Sequence, residues 1–239
     1  MRAVAIALRE FQSFFRVPVG WVATALYLFL TGVIFASGSL EPGSPASLRE
    51  FFAGSALMLI GIAPAISMRL LSEEFRTGTI EPLMTAPVGD ASIVLGKYLG
   101  GAMFLGALLV PTLIYPILLF LLANPAPDPG PIAAGYLALF LLGMCYLAAG
   151  TFFSALTNNQ TLAFLGTLLF LVTWALATSR AGEFLPRPFD GWVASLALMP
   201  RMADFAKGII DLTHVVFMLT VTAWFLLLSY AAIDSRRWR

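Results

Sequence analysis

The sequence has few charged residues, because Asp, Glu, Lys and Arg together make up 11% of its 239 residues. Soluble proteins carry about a quarter charged residues, so this composition argues against a soluble protein. Cysteine and histidine are almost absent, with only Cys145 and His214. A single cysteine permits no internal disulfide and no cysteine metal cluster, and His214 with its neighbour Asp211 supplies too few ligands for a metal site.

What the chain has in abundance is hydrophobic residues, which make up 59% of it. Six apolar runs lack Asp, Glu, Lys and Arg and are long enough to cross about 30 Å of hydrocarbon as helices. The predicted spans are residues 19–36, 51–68, 98–122, 132–156, 161–178 and 215–233. Ion-coupled carriers normally place ionisable side chains inside such spans, so the energy source is expected to lie outside this chain.

The first 18 residues have a different pattern from the spans. Apolar residues recur at helical spacing, while Arg2, Arg9 and Arg16 recur every seven residues and form one stripe. This predicts an interfacial amphipathic helix whose apolar face lies at the acyl boundary and whose arginines reach headgroup phosphates or a partner. The alternative is a basic flank of the first span.

Basic residues are distributed unevenly between the two sides of the predicted bundle. With six spans, both termini lie on one side, and that side carries nine of the fourteen Lys and Arg residues. These nine are Arg2, Arg9, Arg16, Arg69, Arg76, Lys97, Arg236, Arg237 and Arg239. The positive-inside rule therefore predicts that the termini and the 69–97 loop face the cytoplasm.

The 69–97 loop is dense in charge between two uncharged runs. Gly78 provides a turn, Thr79 is an N-cap candidate, and Glu81 falls in the first turn of a short helix predicted over residues 80–85. Such a helix, held between two spans, can transmit force from a soluble partner. The alternative is an inert amphipathic loop.

Gly96-Lys97 does not belong to a nucleotide-binding loop. That loop requires Gly-x-x-x-x-Gly-Lys-Ser/Thr, whereas Gly89 lies seven positions before Gly96 and Tyr98 follows Lys97. Lys97 is interpreted as an anchor whose long side chain extends to the cytoplasmic surface. No nucleophile with a partner base is visible, so we expect neither enzymatic activity nor a cofactor in this chain.

On the other side, segment 179–214 contains two half-length apolar stretches, 192–198 and 202–210, separated by Met199-Pro200-Arg201. They are too short to span a bilayer. We predict short outer helices that re-enter the membrane or lie on its surface.

The order and spacing of residues 73–83 (EEFRTGTIEPL), 86–88 (APV) and 93–97 (IVLGK) resemble the cytoplasmic loop of the ABC-2 membrane family of ATP-binding-cassette exporters. The resemblance extends over nearly the whole chain and is closest to the gliding-motility-associated permease subgroup. It implies an all-α integral membrane protein with six transmembrane helices, an N-terminal interfacial helix, a cytoplasmic coupling helix and short outer helices before the last span. The expected organisation is an interfacial helix over 1–18 and a transmembrane domain over 19–239, with a coupling loop at 69–97 and an outer segment at 179–214.

The resemblance also implies a function and partners. The chain would be a permease subunit of an exporter in the bacterial inner membrane, paired with a second permease chain, identical or related, and served by two ATPase subunits that bind ATP and Mg. A periplasmic accessory protein is a possible further partner, and no nucleic acid is expected. The residues expected to couple to the ATPase are Glu73, Glu74, Arg76, Gly78, Thr79, Glu81, Leu83 and Lys97.

The cargo is not implied by the resemblance. Spans this apolar offer no charged corridor, which favours an amphipathic or lipid-linked substrate. Met58, Phe164 and Phe170, on spans two and five, are predicted to line its path, against the alternative of plain packing. Two other functions remain open: a non-transporting transducer acting on outer or periplasmic partners, and a membrane-bound lipid enzyme, which would need a polar catalytic cluster.

Overall fold

The computed structural model describes residues 2–40, 46–78, 89–180 and 189–237. Within these ranges all regular structure is helical. The helices are α1 (Arg2–Arg16), α2 (Pro18–Ser39), α3 (Arg49–Ser67), α4 (Ser72–Thr77), α5 (Asp90–Leu109), α6 (Ile114–Leu122), α7 (Pro129–Leu156), α8 (Gln160–Ser179), α9 (Phe189–Ala194), α10 (Met199–Phe205) and α11 (Leu212–Arg237). A 3₁₀ turn, Val110–Leu113, joins α5 to α6.

Six helical stretches are long and apolar enough to cross a membrane, and each contains one of the six predicted runs. The all-helical six-span prediction is therefore confirmed. The third span is interrupted at the 3₁₀ turn, which contains Pro111. A proline lacks the backbone N–H and crowds the preceding turn, so the α-helical ladder breaks there.

α1 is a helix where the sequence predicted one, and it lies along the first half of α5. Gly96 and Gly100 on α5 allow this approach. A Cβ on Gly96 would lie 2.8 Å from the Ala3 carbonyl oxygen, and a Cβ on Gly100 would lie 2.9 Å from the Ala7 carbonyl oxygen. Phe14 is buried and stacks on Phe104 of α5 with ring centroids 4.6 Å apart. α1 is thus fixed to the bundle along its length as well as at Pro18, where α2 begins.

α3 and α7 form the centre of the bundle. In the most apolar windows of the spans that contain them, 61% and 67% of residues are buried, against 28% for α2 and 17% for α8. Small residues on α7 such as Ala138, Ala148 and Ala149 are completely buried and let neighbouring helices approach. The two central helices therefore organise the others around them.

Contacts between distant residues define the two ends of the bundle. Leu71, Val94, Ala155 and Ile233 form one buried cluster, which brings together the segment after α3, the start of α5 and the ends of α7 and α11. We call this the charged end, because the charged residues of α1 and α4 also lie there. α9 and α10 lie at the opposite end.

The short helices at the opposite end are present, but they begin earlier than predicted. α9 starts at Phe189 and α10 at Met199. Pro200 lies in the first turn of α10, where no intrahelical hydrogen bond needs its N–H. Met199-Pro200-Arg201, which the sequence predicted to separate two helices, is therefore the start of α10. α10 ends at Phe205, before Gly208, whose φ of 88° reverses the chain.

The coupling helix predicted over residues 80–85 lies outside the described residues, as do Thr79, Glu81 and Leu83. The residues just before them are described: α4 ends at Gly78, whose φ of 71° is the left-handed conformation that glycine adopts at helix ends. The predicted glycine turn is therefore confirmed.

Candidate functional site

The turn between α3 and α4 is pinned by Ser154 of α7. Its Oγ accepts hydrogen bonds from the backbone N–H groups of Leu71 and Ser72, at 3.1 and 3.0 Å, and donates one to the Met68 carbonyl oxygen at 3.1 Å. Ser154 and Ser72 are completely buried. This arrangement fixes where α4 starts, and so where its side chains lie.

α4 places Glu74 against Lys97 of α5. Lys97 Nζ lies 2.8 Å from Glu74 Oε1 and 2.9 Å from Glu10 Oε2 of α1, and the Lys97 side chain is 2% exposed. The interpretation of Lys97 as an anchor that extends to the membrane surface is therefore wrong. Two carboxylates within reach stabilise the buried ammonium, which removes the need for the side chain to extend into water.

The three groups form a nearly closed ionic cluster. Glu10 and Glu74 are each 12% exposed, and Arg9 Nη2 approaches Glu74 Oε1 at 3.6 Å from a side chain that is 66% exposed. Removing one member of a buried pair costs about 3–5 kcal/mol, because an uncompensated charge is left behind. An exposed pair such as Arg9 with Glu74 contributes about 0–1 kcal/mol. The Glu10–Lys97–Glu74 contacts are therefore the strong links among α1, α5 and α4.

A family model described as an ABC-2 family transporter protein matches residues 4–237. The chain belongs to the ABC-2 transporter family. No curated protein matches the chain at a significant level. The family and the six apolar helices identify a multi-pass membrane permease subunit of an ABC transporter. ABC-2 permeases work with an ABC ATPase and are generally not catalytic themselves.

The structure of this ABC-2 permease brings together some of the predicted coupling residues and separates others. Glu74 and Lys97 meet in the buried cluster, whereas Glu73 points outward and pairs with Arg69 at 2.9 Å. Sequence reasoning predicted this division, since adjacent helical residues point about 100° apart. Arg76 and Gly78 are exposed where the chain leaves α4.

Sequence analysis of the permease missed Glu10. It is the only acidic residue among the first 40 and lies beside the arginine stripe, which was the signal available. The stripe suggested contacts with lipid headgroups, whereas Glu10, the residue next to Arg9, makes the buried contact with Lys97. The partner, Lys97, is 87 positions away and only the fold reveals it.

The three predicted path residues lie on two helices of the permease. Met58 is half-buried on α3 and Phe164 is half-buried on α8. The Phe170 ring instead contacts Phe153, Trp174 and Phe225, with centroids 5.4 to 5.6 Å apart. It lines an apolar groove of about 710 Å³ between α8 and α11.

The opposite end of the permease has polar contacts of another kind. The Arg201 guanidinium lies 3.7 Å from the centroid of the Phe217 ring, and its Nη1 is 3.1 Å from His214 Nδ1. His214 Nε2 lies 3.4 Å from Asp204 Oδ2, and Lys207 Nζ lies 3.2 Å from Asp204 Oδ1. The hydrogen bond from Lys207, and then the one from His214, lower the pKa of Asp204 from its usual value.

Asp211 caps the start of α11. Its Oδ1 accepts a hydrogen bond from the Thr213 backbone N–H at 2.7 Å, which lowers the pKa of its carboxyl group. The sequence grouped Asp211 with His214, and the His214 backbone N–H does bond to the Asp211 carbonyl oxygen at 3.0 Å, but the His214 ring lies against Arg201 and Asp204. Among the described residues, no three His, Cys, Asp or Glu side chains gather as metal ligands.

Proposed function

We propose that this permease belongs to an ABC exporter and that its ATPase acts on the charged end, through the loop between α4 and α5. One observation supports this above others: both flanks of that loop are tied to each other by the Glu74–Lys97 contact of 2.8 Å. A displacement of the loop cannot move α4 without moving α5, because separating a buried ion pair is costly.

α1 belongs to the same moving unit. Glu10 binds the same ammonium, and the close contact at Gly96 and Gly100 leaves no space for α1 to slide over α5. The residues that meet the ATPase are then those beyond the cluster: Arg76, Gly78, Thr79, Glu81 and Leu83, with Glu73 on the outward face of α4. ATP and Mg are bound by the ATPase subunits.

The proposed location is a bacterial inner membrane, and the positive-inside count supports a cytoplasmic position for the charged end and both termini. The subgroup resemblance to gliding-motility-associated permeases belongs to this proposal as well, and says nothing of whether the organism glides.

Two copies of the permease, identical or related, form the transport unit with two ATPase subunits. The largely exposed α2 and α8 flank α3. A second copy that packs against α8 and the Met58 side of α3 would enclose a path lined by Met58 and Phe164. The path is uncharged, which suits an amphipathic or lipid-linked cargo.

The test is reconstitution with an ABC ATPase from the same gene neighbourhood. We expect that ATP hydrolysis by the wild-type complex requires both subunits. In a variant carrying Lys97→Met, Glu10→Gln and Glu74→Gln, the rate of hydrolysis should no longer depend on the presence of the permease. This triple change neutralises the cluster without leaving a buried charge, so the variant should still fold. Arg16→Gln, an exposed arginine on the same helix as Glu10, is the matched control.

Normal coupling in the neutral variant would contradict the proposal. Coupled hydrolysis that moves no amphiphile across the vesicle membrane would favour the transducer, in which the ATPase drives a change read by outer or periplasmic proteins.

A further inference from the structure

A second cavity lies at the opposite end of the bundle, between the start of α3 and α10. Its volume of about 420 Å³ is in the range of small-ligand sites. Its floor is apolar and includes Ala53 and Leu57 of α3 and Met199 and Met202 of α10. Its rim carries Arg49 and Glu50, the first two residues of α3.

Arg49 and Glu50 on the rim are both exposed. Among the described residues, neither the Arg49 guanidinium nor the Glu50 carboxylate has a hydrogen bond or an ion-pair partner. They do not pair with each other, since adjacent helical side chains diverge by about 100°. Lys207, on the same cavity, differs because Asp204 binds it at 3.2 Å.

The cavity continues along α3 toward the middle of the membrane. Ala53, Leu57 and Gly61 follow one another at intervals of four residues, which places them on one face of the helix. A Cβ on Gly61 would meet no atom within 4 Å, so the face is open at that point. A hydrocarbon chain with its polar group at Arg49 and Glu50 would extend along this face.

The chemistry of the rim selects the polar group. A guanidinium binds a phosphate through paired N–H donors, and a carboxylate accepts hydrogen bonds from a primary ammonium. The pair is neutral overall, as a headgroup carrying one phosphate and one ammonium is. The rim lies where the apolar part of α3 begins at Phe51, which is the level of lipid headgroups.

We propose that this cavity binds a phosphoethanolamine phospholipid of the surrounding bilayer, with its phosphate on Arg49, its ammonium on Glu50 and an acyl chain along Ala53 and Leu57. A choline headgroup has no N–H for Glu50, and a glycerol headgroup leaves a net negative charge beside that carboxylate. The site does not depend on what the transporter exports.

The test uses the assembled transporter in phosphatidylcholine nanodiscs, with a bimane fluorophore on Ala203→Cys, an exposed position that lines the cavity. The native Cys145 is 2% exposed and should not react. Lipids with brominated acyl chains and ethanolamine, choline or glycerol headgroups are added, and quenching is measured against mole fraction. We expect half-maximal quenching at an about tenfold lower fraction for ethanolamine than for choline, as one hydrogen bond to a charged group predicts.

Three variants separate the parts of the site. Glu50→Gln should remove the preference for ethanolamine over choline, Arg49→Gln should weaken quenching by all three lipids, and Arg16→Gln, at the charged end, should change neither. Equal quenching by the three headgroups would overturn the proposal. So would a preference for the glycerol headgroup, which would indicate an anionic ligand, or an ethanolamine preference that survives Glu50→Gln.

Discussion

The two ends of the bundle use the same kinds of charged residue in opposite ways. At the charged end, Lys97 is 2% exposed and lies within 2.9 Å of two carboxylates from two other helices. At the opposite end, Lys207 and Asp204 are 51% and 38% exposed and lie three residues apart in sequence. Because the Lys97 contacts are buried, they hold the helices together strongly, whereas water screens the Lys207–Asp204 pair. The difference supports the proposal that the ATPase acts on the charged end.

Loss of the Lys97 ammonium from the buried cluster should have the largest effect. Lys97→Met alone leaves Glu10 and Glu74 buried without their cation, so the free energy of unfolding should fall by about 3–5 kcal/mol. Denaturation of the purified permease in detergent would measure this. The neutral triple variant should recover most of the loss, and a single variant as stable as the original chain would show that the ammonium is not buried as described.

A second large effect is expected where α1 meets α5. Gly100→Ala would place a Cβ 2.6 Å from the Glu10 Cβ and 2.9 Å from the Ala7 carbonyl oxygen, so α1 must move and stability should fall by about 1–3 kcal/mol. Gly106→Ala is the matched control on the same helix, since its Cβ would meet Phe140 at an ordinary 3.7 Å. Equal thermal stability of the two variants would place α1 away from α5.

Loss of the Ser154 hydroxyl should have an effect in the same range. Ser154→Ala leaves the backbone N–H groups of Leu71 and Ser72 buried without their acceptor, a loss of about 1–3 kcal/mol. Because these groups fix the start of α4, hydrogen exchange should accelerate at Leu71 and Ser72 more than in the centre of α7. Uniform exchange across both regions would argue against a local role.

The smallest effect is expected at the opposite end and should depend on pH. The pKa of Asp204 is lowered in the folded state, so the carboxylate stabilises the fold above its unfolded pKa, and this contribution is lost as pH falls through the folded value. Lys207→Ala removes the first cause of that shift. The variant should differ little from the original chain at neutral pH and should lose less stability on acidification; a loss as large as that of Lys97→Met would remove the contrast between the ends.

The sequence was sufficient for the six spans, the helix over α1 and the glycine turn at Gly78, because each depends on local periodicity or on one residue's backbone preference. It placed Glu74 and Glu73 on different faces for the same reason. The Glu10–Lys97 contact could not be predicted from the sequence, since it joins residues 87 positions apart whose helices meet only through tertiary packing. The aromatic contacts of Phe170 were also not predictable, because an aromatic residue on a span carries no sign of which neighbour it faces.

The start of α10 shows a different limit. Met199-Pro200-Arg201 was interpreted as a break between helices, although proline is also favoured in the first turn of one. Tertiary contacts of the residue after the proline distinguish the two meanings, because Arg201 bonds back to the Ala197 carbonyl oxygen and stacks on Phe217 of α11. The sequence alone does not reveal the second of these contacts.

In the proposed mechanism, α1, α4 and α5 move as one body during the ATPase cycle. Spin labels at Leu8 on α1 and Leu95 on α5, both exposed, measure their separation by pulsed electron resonance. A second pair, at Leu95 and at Ala203 on α10, measures the two ends of the bundle against each other. We predict that the Leu8–Leu95 distance is the same without nucleotide and in the ATP-trapped state, while the Leu95–Ala203 distance changes. A change in the Leu8–Leu95 distance between these states would show that α1 and α5 do not move together.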